Sequence, residues 1–153
     1  MIIAPAVLAD LDAIDEIERH SFPQPWPRSA FETELTRPLA RLDVARAPRV
    51  IGFCNYWIVS DPEGDAGEVH IHTIATHPDH RRADVGAALL DRALAEGRAA
   101  HCNLATLEVR RARQALGLSR DPIAVSVLGG DGDGIAPLWR AVVQLAAQPR
   151  PPR

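Results

Sequence analysis

Residues Glu68 to Leu90 read EVHIHTIATHPDHRRADVGAALL. The first half places the β-branched residues Val69, Ile71 and Thr73 at every second position, which is the period of a strand. His77-Pro78 ends that run, Arg81-Arg82 and a turn containing Gly86 follow, and a helix is expected to open at about Val85. A strand that feeds a basic turn at a helix N-terminus is a device for holding phosphate. The free backbone N–H groups and the positive end of the helix dipole face the anion. A second stretch, Leu104 to Arg110 (LATLEVR), sets the carboxylate of Glu108 inside an otherwise apolar strand.

Towards the N-terminus, Asp10 suits a helix N-cap, with Leu11, Ile14 and Ile17 following at helical spacing. Pro23, Pro25 and Pro27 break the chain around Trp26. Pro27 suits the first position of a second helix, in which Phe31 and Leu35 fall four apart, and Arg37-Pro38 ends it. Leu42–Ala47 and Val50–Val59 read as two strands joined at Pro48-Arg49. The turn residues Asp61–Gly67 (DPEGDAG) make a hairpin into the strand Val69–Thr76. Val85–Glu96 is helical, with Gly97 as its stop, and Cys102–Val109 is the next strand. Beyond Arg110 the character changes. Arg113–Leu118 suits a short helix, Ile123–Leu128 a strand, Gly129–Gly134 a turn and Ile135–Ala147 a helix, before a disordered tail at 148–153. The order of elements predicts a mixed α/β domain around one sheet, spanning residues 1–147.

The chain has 153 residues, of which 46% are hydrophobic and 24% charged, as in a globular protein with a real core. No apolar run approaches the ~20 residues that a membrane helix needs, and the start, MIIAPAVLADLD, has no basic region of the kind that opens a secretory leader. The only two cysteines, Cys54 and Cys102, lack CxxC spacing and fit buried small residues in a reducing cytoplasm. Every basic residue is Arg. Residues 1–109 carry a net charge of −7 and residues 110–153 one of +4, so an acidic body could attract a basic polypeptide. His70 and His72 share a strand face, but no histidine spacing is specific enough to assign a metal site. They suit a groove or the surface. Asp131–Gly134 (DGDG) lacks the further ligands of a calcium loop and reads as a turn.

Three blocks carry a resemblance: SFPQPWPRSAFETEL (Ser21–Leu35), HTIATHPDHRRADVGAALL (His72–Leu90) and LEVRRARQALGLSR (Leu107–Arg120). Together they resemble the GNAT acetyltransferases, and specifically the ribosomal-protein-alanine N-acetyltransferase branch. Residues 1–110 are family-like and 111–147 diverge. The resemblance implies a mixed central sheet flanked by helices, with splayed parallel strands at an acetyl-CoA site. It also implies acetyl transfer to a protein N-terminal amine, that of a ribosomal-protein Ala, in the cytoplasm, without nucleic acid, membrane or metal. The pyrophosphate would rest on Arg81, Arg82, Ala83, Asp84, Val85, Gly86 and Ala87, and Arg113 could add a phosphate contact. The pantetheine amides would pair with Ile74, Ala75 and Thr76. Glu108 corresponds to the branch's general base, and Pro25 and Trp26 lie where the resemblance puts the peptide groove.

Two departures bear on activity. The family motif Arg/Gln-x-x-Gly-x-Gly reads Arg81-Arg82-Ala83-Asp84-Val85-Gly86, so Asp stands where the backbone often takes positive φ and approaches phosphate. Its carboxylate should weaken acetyl-CoA binding, unless it turns outward or caps the helix. The branch's thiolate-protonating Tyr falls on Ser119, whose hydroxyl is a poor proton donor. Tyr56, the only tyrosine, lies on an earlier strand. These departures keep open a degenerate GNAT-fold binding or regulatory protein with little turnover. A small-amine acetyltransferase is a further alternative, against which the Ser21–Leu35 block argues.

Overall fold

Val50–Val59 (VIGFCNYWIV) is apolar at nearly every position, as befits a strand covered on both faces. In the computed structural model, which describes residues 1–22, 24–63, 67–81 and 83–107, it is the middle strand of five. The elements are β1 (Ile2–Pro5), α1 (Leu11–Ser21), α2 (Arg28–Thr36), β2 (Ala40–Arg46), β3 (Val50–Val59), β4 (Gly67–Thr76), α3 (Val85–Ala99) and β5 (Cys102–Leu107). Two short 3-10 turns, Leu8–Asp10 and Pro78–His80, precede α1 and follow β4. The sheet runs β1-β2-β3-β4-β5, antiparallel as far as β4 and parallel between β4 and β5. The mixed α/β sheet flanked by helices is therefore as expected.

Each face of the sheet has its own core. On one, Tyr56, Ile58, Val69, Ile71 and Ile74 pack against Val85, Leu89, Leu90 and Ala93 of α3. On the other, Leu42, Val44, Phe53 and Ala75 pack against Leu11, Ile14 and Ile17 of α1 and Phe31 of α2. Gly52 marks how closely α3 approaches, since a Cβ there would lie 2.8 Å from Val85 Cγ1 and 3.1 Å from the Ala75 carbonyl oxygen. Cys54 and Cys102 are buried and unbridged, and burial pushes both thiols up from their usual range.

Several local expectations change. β1 went unforeseen because none of its four residues is buried and they carry no alternation. Asp10 precedes α1 without capping it. Its carboxylate accepts the Val7 N–H at 2.8 Å and two hydrogen bonds from Arg46 at 2.7 and 2.5 Å. Pro27 sits just outside α2 as its N-cap. Gly97 is not a stop: α3 continues to Ala99, and His101, at φ 60°, supplies the left-handed residue that usually ends a helix. The segments expected beyond Leu107 lie outside the described residues.

Candidate active site

The site follows from one extra residue in β4. Asn55 of β3 pairs with Thr73, but Tyr56 pairs with Ile71, so His72 has no opposite number and forms a β-bulge. A bulge inverts the alternation of a strand. Before it, Val69 and Ile71 face α3 while Glu68 and His70 face the other side, and after it Ile74 faces α3 while Ala75 joins the α1 core. Pairing with β5 covers only Gly67–Ile71, ending at Leu107. Past the bulge, β4 has β3 as its one strand neighbour among the described residues.

The edge of β4 away from β3 has a definite polarity. The His77 N–H donates to the Ile51 carbonyl at 2.8 Å. Backbone groups alternate along a strand, so those of Ala75 point to β3, and those of Ile74 and Thr76 point away from it. Arg81 takes one of these, its Nε donating to the Thr76 carbonyl at 3.2 Å while Nη2 lies 3.4 Å from Ser21 Oγ. Burial pulls the Arg81 guanidinium below its usual range. Arg81 thus ties the end of β4 to α1. Arg82 lies outside the described residues.

Asp84 adopts φ 59° and ψ 18°, the left-handed geometry its position in the motif implies. It is exposed and makes no side-chain cap, so of the two ways out of the phosphate's path, capping is not taken. The Ala88 N–H donates to the Asp84 carbonyl at 3.0 Å. The N–H groups of Val85, Gly86 and Ala87, one residue after another at the start of α3, precede that bond and are the ones a helix leaves for a cap or an anion. Ala83 is exposed beside them.

On the α1/α2 face the bulge supports an aromatic and imidazole cluster. The His72 ring centre is 4.4 Å from Trp57, 4.5 Å from His70 and 6.1 Å from Trp26. Trp26 in turn lies 5.6 Å from Phe31. The fully buried Glu18 anchors this wall, accepting the Trp26 N–H at 3.1 Å and the Thr73 hydroxyl at 3.4 Å. Glu34 accepts from Asn55 and from Trp57 Nε1 at 3.2 and 2.8 Å, and the Arg37 guanidinium carbon stands 4.8 Å from the Trp57 ring centre. Pro25 is exposed next to Trp26. Glu68, which sequence reasoning did not connect with the histidines, sits with Oε1 3.5 Å from His70 Nδ1 and accepts the Thr106 hydroxyl at 2.5 Å. Only the i, i+2 spacing on β4 could have signalled that pair.

Tyr56 is no substitute proton donor on this face. It is fully buried on the α3 side, where its hydroxyl donates to Asp43 at 2.7 Å. Burial, then the charge of Asp43, push its hydroxyl well above its usual range. Glu108, Arg113 and Ser119 lie outside the described residues.

A five-stranded mixed sheet, bulged in its fourth strand and joined through a left-handed turn to the third helix, defines an acetyltransferase-type architecture. The chain belongs to the acetyltransferase (GNAT) family, whose model matches residues 11–117. A Bacillus subtilis (strain 168) protein provisionally named a ribosomal protein bS18-alanine N-acetyltransferase is 32% identical over 105 residues. That match spans 67% of this chain and 66% of the relative, so just under two thirds of the relative's length is covered. The fold also matches the ribosomal-protein-S18-alanine N-acetyltransferase of Escherichia coli, with a TM-score of 0.63 and 24% identity over 76% of this chain and 72% of that one. Arabidopsis thaliana NAA60 in complex with acetyl-CoA matches with a TM-score of 0.59 and 18% identity, over 69% of this chain and 73% of that one.

Proposed function

We propose that this acetyltransferase moves acetyl from acetyl-CoA to the N-terminal amine of a protein, with an Ala-starting ribosomal protein as acceptor in the cytoplasm. The observation that carries the reading is the edge of β4 from His72 to Thr76, open among the described residues and leading into the helix start at Val85. At ~3.3 Å per residue that edge is about 13 Å long. It gives an extended pantetheine arm backbone partners at Ile74 and Thr76, with the pyrophosphate on the amides of Val85, Gly86 and Ala87 and the thioester end at the bulge. The acceptor enters from the α1/α2 face, along Trp26, Trp57 and His72.

The amine lone pair attacks the thioester carbonyl carbon, the N–C bond forms, and the C–S bond breaks to release CoA thiolate. Glu108, which corresponds to the family branch's general base, takes a proton from the attacking nitrogen. The measurement is CoA release with acetyl-CoA and an Ala-starting peptide. Glu108→Gln should cut turnover by about 100-fold or more while the melting shift with acetyl-CoA stays that of the unsubstituted protein. No turnover and no melting shift in the unsubstituted protein would overturn the reading. Asp84 favours a second one, a GNAT-fold protein that binds without turning over, and a melting shift without CoA release is its signature.

A further inference from the structure

We propose that Glu18 is a positioning residue of the acceptor wall. It sets the affinity for the acceptor peptide by holding Trp26 at a fixed distance from the β4 bulge, without touching either substrate. The inference rests on the transferase reading above and concerns its acceptor side alone. Three observations carry it. The buried face of α1 is otherwise made of Leu11, Ile14 and Ile17, and Glu18 is as fully enclosed as they are. A carboxyl group in such a place is costly unless its oxygens are hydrogen-bonded, and an apolar side chain would fill it without that cost. The two oxygens go to two different parts of the site. Oε1 accepts the Trp26 N–H at 3.1 Å and Oε2 the Thr73 hydroxyl at 3.4 Å. Thr73 is the first residue after the bulge at His72, and the Trp26 and His72 ring centres are 6.1 Å apart. One side chain thus ties the wall to the strand that the wall faces. Lastly, the segment between α1 and α2 has few backbone donors with which to fix its path. Pro23, Pro25 and Pro27 have no N–H, which leaves those of Gln24 and Trp26. The second of these is the one that Glu18 takes.

The bond between Glu18 and Trp26 takes no part in the chemistry. It governs how the wall stands before the acceptor arrives. Without it the acceptor must order the wall as it binds, which is a cost to binding and not to the bond-making step. The loss of one hydrogen bond to a carboxylate corresponds to roughly 10-fold or more in affinity.

Glu18→Ala removes both bonds. KM for an Ala-starting peptide should rise about 10-fold, as should the Kd of that peptide measured calorimetrically in the presence of CoA. The value of kcat should stay within about 3-fold, and the melting shift with acetyl-CoA should be that of the unsubstituted protein. Thr73→Val removes one bond and should raise KM and Kd by a smaller factor. Glu18→Gln keeps an oxygen for the Trp26 N–H and an amide that donates to the Thr73 hydroxyl, so it should restore the unsubstituted KM. In a Trp26→Ala background, Glu18→Ala should no longer change KM, because its effect passes through that residue. A carboxyl that only stabilises the fold lowers the melting temperature and leaves KM unchanged, or changes KM equally in both backgrounds, and either result overturns the proposal. If Glu18→Ala does not fold, Thr73→Val decides, and an unchanged KM and Kd there overturn it. An unsubstituted protein that binds the peptide without releasing CoA overturns the transferase reading and leaves the proposal to be decided by the Kd values. One that does neither overturns both.

Discussion

Asp84 offers the sharpest test of the phosphate cradle, because charge and backbone geometry make separate demands there. Its φ of 59° is one that Asp and Asn accept more readily than most residues, and Gly more readily still. Its side chain is exposed, so the water-like limit governs its repulsion of a bound pyrophosphate. At ~5 Å and a dielectric near 80, one pair of unit charges costs about 0.8 kcal/mol, and two phosphate charges about 1.7 kcal/mol. That corresponds to nearly 20-fold in affinity, against roughly 10⁵-fold for the same two charges facing a buried carboxylate at a dielectric near 20. Asp84→Asn removes the charge and keeps a side chain that tolerates the left-handed turn, whereas Asp84→Gly removes both constraints. Calorimetric titration with acetyl-CoA at low salt should give Kd values about 10- to 20-fold lower for Asp84→Asn. Asp84→Gly should bind at least as tightly, and most of the gain should vanish near 1 M salt, where screening acts over about 3 Å. Equal Kd values for all three proteins at low salt would refute the electrostatic reasoning. A gain confined to Asp84→Gly would assign the handicap to backbone strain instead.

Two further predictions concern the frame that holds the site. In Gly52→Ala the new Cβ meets Val85 Cγ1 and the Ala75 carbonyl, so stability should fall by about 2 kcal/mol, and acetyl-CoA should bind more weakly because Val85 opens α3. An unchanged melting temperature would show that α3 yields freely. The Asp10–Arg46 pair has a pH signature. Burial pushes the Asp10 carboxyl up, but the Arg46 hydrogen bond, the Val7 N–H and the Arg46 charge outweigh it and leave it lowered. A lowered carboxylate stabilises the fold above its unfolded value, and that stability is lost as pH falls through the folded one. Asp10→Asn should cost about 2 kcal/mol at pH 7, roughly 4–8 °C in Tm. The difference from the unsubstituted protein should shrink progressively as pH falls below about 4, and a gap that stays at its full pH 7 size down to about pH 2 would contradict the assignment.

Elements were legible where one periodicity runs unbroken. β3 has the expected bounds, and β4 and α3 begin within two residues of expectation, because β-branched alternation and helical spacing are local properties. The bulge at His72 was not legible. A strand that changes face still reads as alternation on either side, and only the partner's register reveals the added residue. The same limit hid the contacts of Arg81. Two adjacent arginines before a helix read as phosphate ligands, yet the guanidinium of the first is engaged by Thr76 and Ser21, across a loop and a helix. Positive φ at Asp84 was legible because a motif glycine marks a backbone requirement that outlasts the glycine. Glu18 was invisible as a site residue. Nothing in an amphipathic helix singles out one carboxylate as the acceptor for Trp26 and Thr73, 8 and 55 residues further along the chain.

On the proposed reading, the bulge also explains how one strand serves two substrates that approach from opposite sides. In an unbroken β4, His70 and His72 would share a face with Ile74 and Thr76, and the imidazoles would lie over the side chains that pack on α3. The added residue turns the second half of the strand over. Ile74 then completes the α3 core, which fixes the helix start proposed to hold the phosphates, while Ala75 and Thr73 close the α1 core beneath Trp26. The proposed donor site and acceptor wall are thereby placed on opposite faces and meet at the bulge, just past the last described pairing of β4 with β5. A reaction between a thioester and an amine needs the two within bonding reach in one place and kept apart elsewhere. One strand that reverses its faces beside an open edge meets both conditions without a second domain.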